Sequence, residues 1–437
     1  MYLYFLTETN SNLTIEALHE LFLKSSGVCT DTRSIQPNCI FFALKGDNFN
    51  GNEFAEEALI KGAQYVVIDQ INAHKNTGET ILCSNVLKKL QQLATFHRKK
   101  LAIPIIALTG SNGKTTTKEL INAVLSQKYK TNATKGNLNN HIGVPLTLLS
   151  MTKETEMGIV EMGANHLNEI KKLCEIALPD FGYITNFGKA HLEGFGSIEG
   201  VVQGKTELYR HLAHHDKTVF VNQNDAKQIE KSKGMNRVSF GGETDDPISL
   251  QDASQELSVT YMDIHIQSNL IGSYNFVNIS AAISIGDFFG VTKEQIKKGI
   301  EQYVPENNRS QLIEKKGHRI ILDAYNANPT SMMAALQNFI DAKGENKMLI
   351  LGDMFELGPE AAKEHQAILD YIVKRFKGTT FLVGENFNMT QHNSDKVHQF
   401  SSFETFKDHF TQHQISASQL LIKGSRGMAL ERVLEIL

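Results

Sequence analysis

The chain has 437 residues, of which 41% are hydrophobic and 21% are charged, and its formal net charge is −4. This composition is ordinary for a globular protein and predicts two to four domains. It argues against a general electrostatic attraction to nucleic acid or anionic membrane, so a polyanionic ligand would have to be held by local cations.

The cysteines and the N-terminus indicate the cellular compartment of the protein. Four scattered cysteines without a Cys-x-x-Cys pair favour reduced thiols over disulfides or a metal site. The first ten residues, MYLYFLTETN, lack the basic segment of a signal peptide. No apolar run approaches the roughly 18 residues of a membrane span. We therefore expect a cytoplasmic protein.

Residues 1–100 combine short strand patterns with helical patterns. The runs CIFFALKG (39–46) and AQYVVID (63–69) predict strands, and NEFAEEALIKGA between them predicts a helix. Residues 87–104 predict a charged amphipathic helix that ends before a proline. This part of the chain is expected to form a small α/β domain.

From Ile105 onward, apolar strands alternate with helices, a pattern typical of a parallel α/β sheet. IPIIALTG, EMGIVEMG (156–163) and FGYITNFG (181–188) predict strands, and TTKELINAVLSQ predicts a helix. NFVNISAAISIGDFFG (275–290) predicts a helix that closes this central region.

A junction is predicted at NNRSQLI (307–313). Beyond it, HRIILDAYNANP, KMLILGDM, TTFLVGE and QLLIKGSRG each place a polar loop after a strand pattern. Open parallel sheets bind ligands at the carboxyl ends of their strands. Asp323, Asp353 and the 423–426 loop fall at such ends. A structural turn is the simpler explanation for each one alone, but several together favour a site.

The segment IALTGSNGKTTTKEL (106–120) has the features of a phosphate-binding loop. Gly110 and Gly113 allow the backbone to approach phosphates, Lys114 suits the β- and γ-phosphates, and the Thr115 hydroxyl suits Mg²⁺. The usual pattern has a further glycine where Leu108 stands. The preceding strand and the helix starting at Lys114 or Thr115 favour a nucleotide site over a chance turn.

Lys205 lies on the apolar stripe of a helical pattern within residues 196–212. Its amine could snorkel to water. Alternatively, a lysine held at a site would lose basicity and could form a carbamate with carbon dioxide, which would add a carboxylate ligand for a hard cation. Glu161 and His191, which follow predicted strands, are further candidates for such a cation.

A set of motifs, taken in chain order, resembles the Mur ligases, the ATP-dependent amide-forming enzymes of cell-wall precursor synthesis. The motifs are TGSNGKTTTKE, GNLNNHIGVPLTLL, EMGANHLNEI, TNFGKAHLEGFGS, the Lys205 helix, NNRSQ and DAYNANPTSM. The resemblance runs from about Asp31 to Arg426, and the Gly-x-x-Gly-Lys-Thr loop is a trait of that family.

The resemblance implies an α/β protein of three domains. Residues 1–100 would bind the UDP end of the precursor. Residues 101–308 would form a central ATP-binding domain with a phosphate-binding loop and a parallel sheet. Residues 309–437 would form a Rossmann-like domain that closes over the nucleotide.

The resemblance also implies roles for residues at matching positions. Catalytic roles fall on Lys114, His191, Lys205 and Arg309. ATP contacts fall on Thr109, Gly110, Ser111, Asn112, Gly113, Lys114, Thr115, Thr116, Asn275, Asn278, Arg309 and Asp323. Two Mg²⁺ ions would be held by Thr115, Glu161, His191 and carbamylated Lys205. Precursor contacts fall on Thr32, Arg33, Lys45, Gly46, Asn139, Asn140, Tyr325 and Asn326.

One departure from the family pattern is Tyr274, where relatives often have histidine. We expect it to alter the packing near the adenine.

Within the family, DAYNANP, LGDMFELG and the stretch 31–63 resemble the member that joins D-alanyl-D-alanine to UDP-N-acetylmuramoyl-tripeptide. This implies an acyl-phosphate mechanism and a monomer. The alternatives are another Mur or folylpolyglutamate-type ligase, a small-molecule kinase or ATPase built on the same loop, and a regulatory relative without catalysis. The amine that supports phosphate release would discriminate between these alternatives.

Overall fold

The structure is a computed structural model that describes residues 13–75, 78–242, 247–306, 308–412 and 418–437. The predicted absence of a signal segment at residues 1–10 and the Asn307 position of the predicted junction lie outside these ranges. The chain forms two compact units. The first comprises Met1–Ala107, Lys130–Gly163 and Glu169–Phe181, and the second comprises Leu108–Tyr129, Ala164–Asn168 and Gly182–Leu437.

The first unit begins with a four-stranded parallel sheet of strand order β1-β2-β5-β6. Its core contains the apolar residues of β2 and β5, which were predicted as strands. The elements of this part are α1 (Ile15–Lys24), β1 (Val28–Cys29), β2 (Ile40–Phe42), β3 (Lys45–Gly46), β4 (Phe49–Asn50), α2 (Ala55–Ile60), β5 (Tyr65–Ile68), β6 (Thr80–Leu82) and α3 (Val86–Leu101).

The rest of the first unit surrounds α3, the predicted charged helix. Arg98 of α3 is buried, and its guanidinium donates to the carbonyls of Ala177 and Leu178 and pairs with Asp180 at 2.7 Å. These bonds satisfy carbonyls at the end of α6, which a helix otherwise leaves without partners. The elements here are β7 (Ile105–Thr109), β8 (Thr131–Ala133), α5 (Gly143–Leu149), β9 (Met157–Glu161), α6 (Glu169–Ala177) and β10 (Phe181–Ile184), of which β7 and β10 continue into the second unit.

In the second unit, α4 (Lys114–Leu125) follows the end of β7, and α11 (Phe276–Phe288) packs against it. Helix α11 is apolar on nearly all sides, which is typical of a helix inside a core. The prediction that α11 is the last helix of the central region is wrong. A further helix, α12 (Lys293–Gln302), follows it and packs on α4 and on strand β15 (Ile264–Ile271).

The second unit also corrects the prediction for residues 196–212, whose single helical pattern forms two helices. The break is at Thr206, whose hydroxyl donates to the carbonyl of Val202. The elements of this part are α7 (Leu192–Phe195), α8 (Ile198–Lys205), α9 (Glu207–His214), β11 (Thr218–Asn222), α10 (Ala226–Lys231) and β12 (Asn236–Phe240).

A three-stranded antiparallel sheet, which the sequence patterns did not predict, precedes α11. It consists of β13 (Ile248–Asp252), β14 (Glu256–Tyr261) and β15 (Ile264–Ile271).

The C-terminal part of the second unit contains a six-stranded sheet of order β16-β17-β21-β18-β19-β20. It is parallel except for β16, and the four strands predicted from the sequence are all present. Its elements are β16 (Gln311–Lys315), β17 (His318–Asp323), α13 (Pro329–Asp341), β18 (Lys347–Gly352), α14 (Ala361–Arg375), β19 (Thr379–Val383), α15 (Glu385–Asn388), β20 (Val397–Phe400), α16 (Phe403–Gln412), β21 (Gln419–Lys423) and α17 (Val433–Ile436).

The predicted α/β class is confirmed. Across the ranges described, no helix combines the length and the apolar character needed to cross a bilayer.

Candidate active site

The loop between β7 and α4 has the backbone form that phosphate binding requires. Gly110 has φ +146° and Gly113 has φ +77°, so both adopt conformations that other residues rarely take. A Cβ at Gly110 would lie 2.0 Å from Thr185 Oγ1, and one at Gly113 would lie 2.8 Å from Asn278 Oδ1. Glycine is therefore needed at both positions for conformational and steric reasons.

The predicted loop residues are placed together at the start of α4. Gly113 caps the helix, and the first helical hydrogen bond runs from Thr117 N–H to the Gly113 carbonyl. The N–H groups of the first turn, which contains Lys114, Thr115 and Thr116, precede this bond and suit an anion. The Lys114 ammonium folds over the loop and donates to the Gly110 carbonyl at 2.7 Å.

Residues after β10 form hydrogen bonds with the loop. Thr185 Oγ1 donates to the Asn112 carbonyl at 2.6 Å, and the Asn186 side chain contacts both the N–H and the carbonyl of Asn112. Ser111 Oγ donates to the Gly188 carbonyl at 2.8 Å, and Thr109, at the end of β7, is buried. These hydrogen bonds hold the loop backbone in place.

A chain of amide hydrogen bonds joins the loop helix to α11. Thr117 Oγ1 donates to Asn278 Oδ1 at 3.0 Å, and Asn278 Nδ2 donates to Asn275 Oδ1 at 2.7 Å. Asn275 Nδ2 in turn donates to the Ile271 carbonyl. Both predicted adenine-contacting asparagines thus lie beside the loop, in one ordered network.

The departure at Tyr274 has a structural consequence. Its hydroxyl lies 3.0 Å from Ser310 Oγ, and burial raises the pKa of its phenol. The tyrosine therefore ties the start of α11 to the residue next to Arg309.

Lys205 is fully buried, so the snorkelling interpretation is wrong. Its Nζ donates to the Ala164 carbonyl at 3.1 Å and lies 5.2 Å from the centre of the Phe195 ring. Removing an ammonium from water costs several kcal/mol, roughly, unless other groups compensate. This lysine is therefore held in the protein interior, and its carbamylation stays a prediction.

His191 lies in the segment after β10, in the left-handed conformation with φ +53°. Its Nδ1 is 2.5 Å from Glu356 Oε2, a residue that the sequence patterns did not single out. The hydrogen bond from His191 holds the pKa of Glu356 below its usual range, although burial acts in the opposite direction.

Glu161, at the end of β9 in the first unit, has the environment of a cation ligand. Its side chain is 1% exposed, and Oε1 accepts a hydrogen bond from Asn139 Nδ2 at 2.7 Å. Oε2 is buried and has no hydrogen-bond partner among the residues that the structure describes. A buried carboxylate oxygen without a partner is costly, so this donor set fits a hard cation.

The structure does not assemble a complete metal site from the usual side chains. Within the described ranges, no three His, Cys, Asp or Glu side chains are grouped so that they could hold a metal ion. The predicted set has only two such residues, Glu161 and His191. Its other members are a hydroxyl and a carbamate, and Mg²⁺ commonly takes further oxygens from substrate phosphates.

A second cluster lies at the carboxyl ends of β17 and β21. Arg309 stacks on the Tyr325 ring at 3.6 Å, and Arg426 lies 5.7 Å from the same ring. Asp323 accepts a hydrogen bond from the buried Lys423 ammonium at 2.5 Å. The predicted nucleotide residues Arg309 and Asp323 are thus close to the predicted substrate residue Tyr325, while Asn326 beside it is exposed.

Asp353, the other predicted strand-end carboxylate, has a structural role. It is buried and accepts hydrogen bonds from the N–H groups of Asn386 and Phe387 at the start of α15.

The predicted precursor residues of the first unit form two groups. Arg33 pairs with Asp31 at 2.6 Å, which lowers the pKa of Asp31 to about 2, and Thr32 lies between them. Lys45 pairs with Asp69 at 2.8 Å, at the β3–β4 hairpin that includes Gly46.

Asn139 and Asn140, the other predicted precursor contacts of this unit, lie just before the start of α5. Asn139 contacts Glu161 as described above, and Asn140 Oδ1 accepts from the Gly143 N–H at 2.9 Å.

Two contacts were missed because they join distant parts of the sequence. Besides Glu356, Asn328 donates from Nδ2 to Asn112 Oδ1 at 2.7 Å. The only signal for them was that they occur in the motifs LGDMFELG and DAYNANP.

Family models match the chain in three consecutive segments. They are described as "Mur ligase family, catalytic domain" over residues 24–106, "Mur ligase middle domain" over 108–286, and "Mur ligase, glutamate ligase domain" over 308–426.

Individual relatives match over nearly the whole chain. The UDP-N-acetylmuramoyl-tripeptide--D-alanyl-D-alanine ligase of Bacillus subtilis is 35% identical over 424 residues, covering 94% of this chain and 92% of that protein. A crystal structure of MurF from Acinetobacter baumannii has a TM-score of 0.83 and 31% identity, covering 93% of this chain and 92% of that one. The structure of MurF ligase from Thermotoga maritima in complex with ADP has a TM-score of 0.82 and 25% identity, covering 95% and 97%. The chain therefore belongs to the Mur ligase family.

Proposed function

We propose that this protein joins D-alanyl-D-alanine to UDP-N-acetylmuramoyl-tripeptide, using ATP and releasing ADP and phosphate. The observation that carries the proposal is the nearly full-length similarity to a ligase of that name. The ordered phosphate-binding loop at the start of α4 supports the use of ATP.

The reaction proceeds through an acyl phosphate. The terminal carboxylate of the tripeptide attacks the γ-phosphorus of ATP, and ADP leaves. The amine of D-alanyl-D-alanine attacks the acyl carbon, the amine loses a proton, and phosphate leaves as the amide forms. Lys114 and Arg309 supply positive charge to the crowded phosphate oxygens, and catalysis is mainly positioning and charge neutralisation.

Thr115, Glu161, His191 and carbamylated Lys205 would hold Mg²⁺, which would neutralise phosphate charge. Support comes from the buried Glu161 oxygen that has no hydrogen-bond partner in the described parts of the chain. The carbamate forms when the Lys205 amine, in its neutral form, adds to carbon dioxide and releases a proton; the fully buried position of this side chain is compatible with such a group.

Each of the three predicted domains binds a different part of the substrates. Residues 1–100 bind the UDP end through Thr32, Arg33, Lys45 and Gly46, and residues 101–308 bind ATP. Residues 309–437 complete the nucleotide site, and Asn139, Asn140, Tyr325 and Asn326 contact the peptide parts. We further propose that the enzyme is cytoplasmic, which its four free thiols support, and that it is a monomer, as the family resemblance implies.

Phosphate release by the purified protein tests the function. ATP, Mg²⁺, UDP-N-acetylmuramoyl-tripeptide and D-alanyl-D-alanine are supplied together, each is then omitted in turn, and the product is identified by mass. Release that requires both substrates and yields the pentapeptide is expected. Release with other amines but not with this dipeptide would move the assignment to a sister ligase, and release without any amine would contradict amide formation.

A further inference from the structure

The segment that carries His191 is held by residues of the C-terminal sheet region. The Lys189 N–H donates to Thr330 Oγ1 at 3.0 Å, and its ammonium pairs with Glu364 at 2.6 Å. Leu192 packs against the apolar cluster that includes Met354 and Leu357. The position of His191 is therefore set by contacts from residues more than a hundred positions away in the chain.

Glu356 makes the contacts that reach His191 itself. Its carboxylate is 2.5 Å from Nδ1 of the imidazole, and its backbone carbonyl accepts the N–H of Glu193 at 3.2 Å. Both His191 and Glu356 have positive φ, at +53° and +60°. The turn that contains His191 and the turn that contains Glu356 therefore lie against each other, and the Glu356 carboxylate contacts the His191 ring there.

This contact decides which ring nitrogen can bind a cation. A carboxylate accepts hydrogen bonds, so the close contact requires a proton on Nδ1, and in the neutral ring the lone pair is then on Nε2. A neutral histidine binds a metal through the nitrogen that carries the lone pair, and a carboxylate on its other nitrogen fixes the ring and raises its basicity.

We propose that Glu356 is a positioning residue, which holds His191 in the tautomer and orientation that present Nε2 as a Mg²⁺ ligand. The inference rests on the proposed function, because it takes His191 to be a metal ligand. It links the C-terminal region, through Glu356, to cation binding by the central region.

The test uses the metal-free protein labelled with ¹⁵N-histidine. Two-bond ¹⁵N–¹H spectra identify the protonated nitrogen of each ring, and the His191 signal is the one that disappears in His191→Gln. The wild type should have the proton on Nδ1. In Glu356→Ala the signal should move toward the Nε2-protonated form.

Cation affinity is measured on the same proteins with Mn²⁺ and ADP by electron paramagnetic resonance. Glu356→Ala should weaken Mn²⁺ binding roughly 10- to 100-fold, the range expected for loss of a residue that orients a metal-bound histidine. Glu356→Gln should weaken it less, since its amide oxygen can still accept from Nδ1. Glu360→Ala is the matched control, because Glu360 is equally exposed (45% against 46%) but pairs with Lys363.

An unchanged His191 tautomer, or unchanged Mn²⁺ affinity, in Glu356→Ala would overturn the inference. Wild-type amide formation in the same preparation would leave the proposed function standing in that case. If His191→Gln also binds Mn²⁺ as tightly as wild type, the metal role of His191 fails, and the inference fails with it.

Discussion

At the scale of single residues, charged side chains are buried where the site is expected. Lys118, Lys205, Lys423 and Glu161 are each at most 1% exposed. Lys118 and Lys423 have carboxylate partners at 2.5 Å, and Glu161 accepts from Asn139. Buried ions are weak contributors to stability, so a functional role is the better explanation for a buried Glu161 and a buried Lys205.

Replacing Lys205 by methionine separates chemistry from packing. Lys205→Met fills similar space without an amine, so the thermal unfolding midpoint should stay close to that of the wild type. The rate of phosphate release should fall roughly 100-fold or more, the usual cost of losing one preorganised electrostatic group. Activity that is unchanged, with or without added bicarbonate, would rule out the carbamate.

Alanine at Gly113 should damage the loop for two reasons. Its φ of +77° disfavours any Cβ, and the added atom would press on Asn278. Gly234→Ala is the control, because Gly234 has φ +80° with open space around it. We expect the control to lose about 1–2 kcal/mol of unfolding free energy and to keep its ADP affinity. Gly113→Ala should lose more stability and bind ADP weakly; equal effects of both variants would contradict the role given to this contact.

At the scale of elements, the Asn328 side chain makes two contacts, one with a helix and one with the nucleotide loop. Its Oδ1 caps α13 by accepting the Ser331 N–H, and its Nδ2 donates to Asn112 in the nucleotide loop. Asn328→Asp keeps the cap but loses the donor, whereas Asn328→Ala loses both.

Asn328→Asp should therefore unfold close to wild type while its KM for ATP rises several-fold, and Asn328→Ala should also lose about 1 kcal/mol of stability. Urea unfolding and initial-rate kinetics measure the two effects. An Asn328→Asp enzyme with unaltered KM would show that the Asn112 contact is irrelevant to the loop.

The histidines of α9 give the protein a pH-dependent stability. Burial, followed by the neighbouring His215 and His214, lowers the pKa of His211 to about 4. The unfolded chain binds this proton near the ordinary pKa of about 6.5. Stability is therefore full above that pH and falls as the pH drops toward 4, by less than the value of about 3 kcal/mol that the full shift corresponds to, because solvent screens a half-buried group.

His211→Gln should remove this part of the pH dependence. Urea unfolding at pH 7 and pH 5 measures it, and an equal loss in wild type and His211→Gln would contradict the assignment to His211.

The elements that the sequence predicted have strong local signals. Strand β7 and helix α4 were recognised because an apolar run, a glycine turn and a helical period follow one another. The break at Thr206 was missed because it depends on a threonine hydroxyl bonding to the backbone, a contact that periodicity does not report. Strand β13 was missed because its four residues after Ile248 are exposed and three of them are polar.

At the scale of the whole molecule, the order of motifs was enough to predict the class of fold and the family. The sequence could not give the contacts that complete the candidate site. His191 meets Glu356 over 165 positions and Asn112 meets Asn328 over 216 positions. Such pairings arise from the way strands and helices stack, which the local period of a sequence does not encode.

The central claim is that the tripeptide carboxylate is activated as an acyl phosphate. It is tested by labelling both oxygens of that carboxylate with ¹⁸O and measuring the mass of the phosphate released with D-alanyl-D-alanine present. Activation as an acyl phosphate predicts one ¹⁸O atom in each phosphate and one retained in the amide carbonyl. Phosphate without ¹⁸O would show that ATP is hydrolysed by water, and the proposed amide-forming mechanism would be wrong.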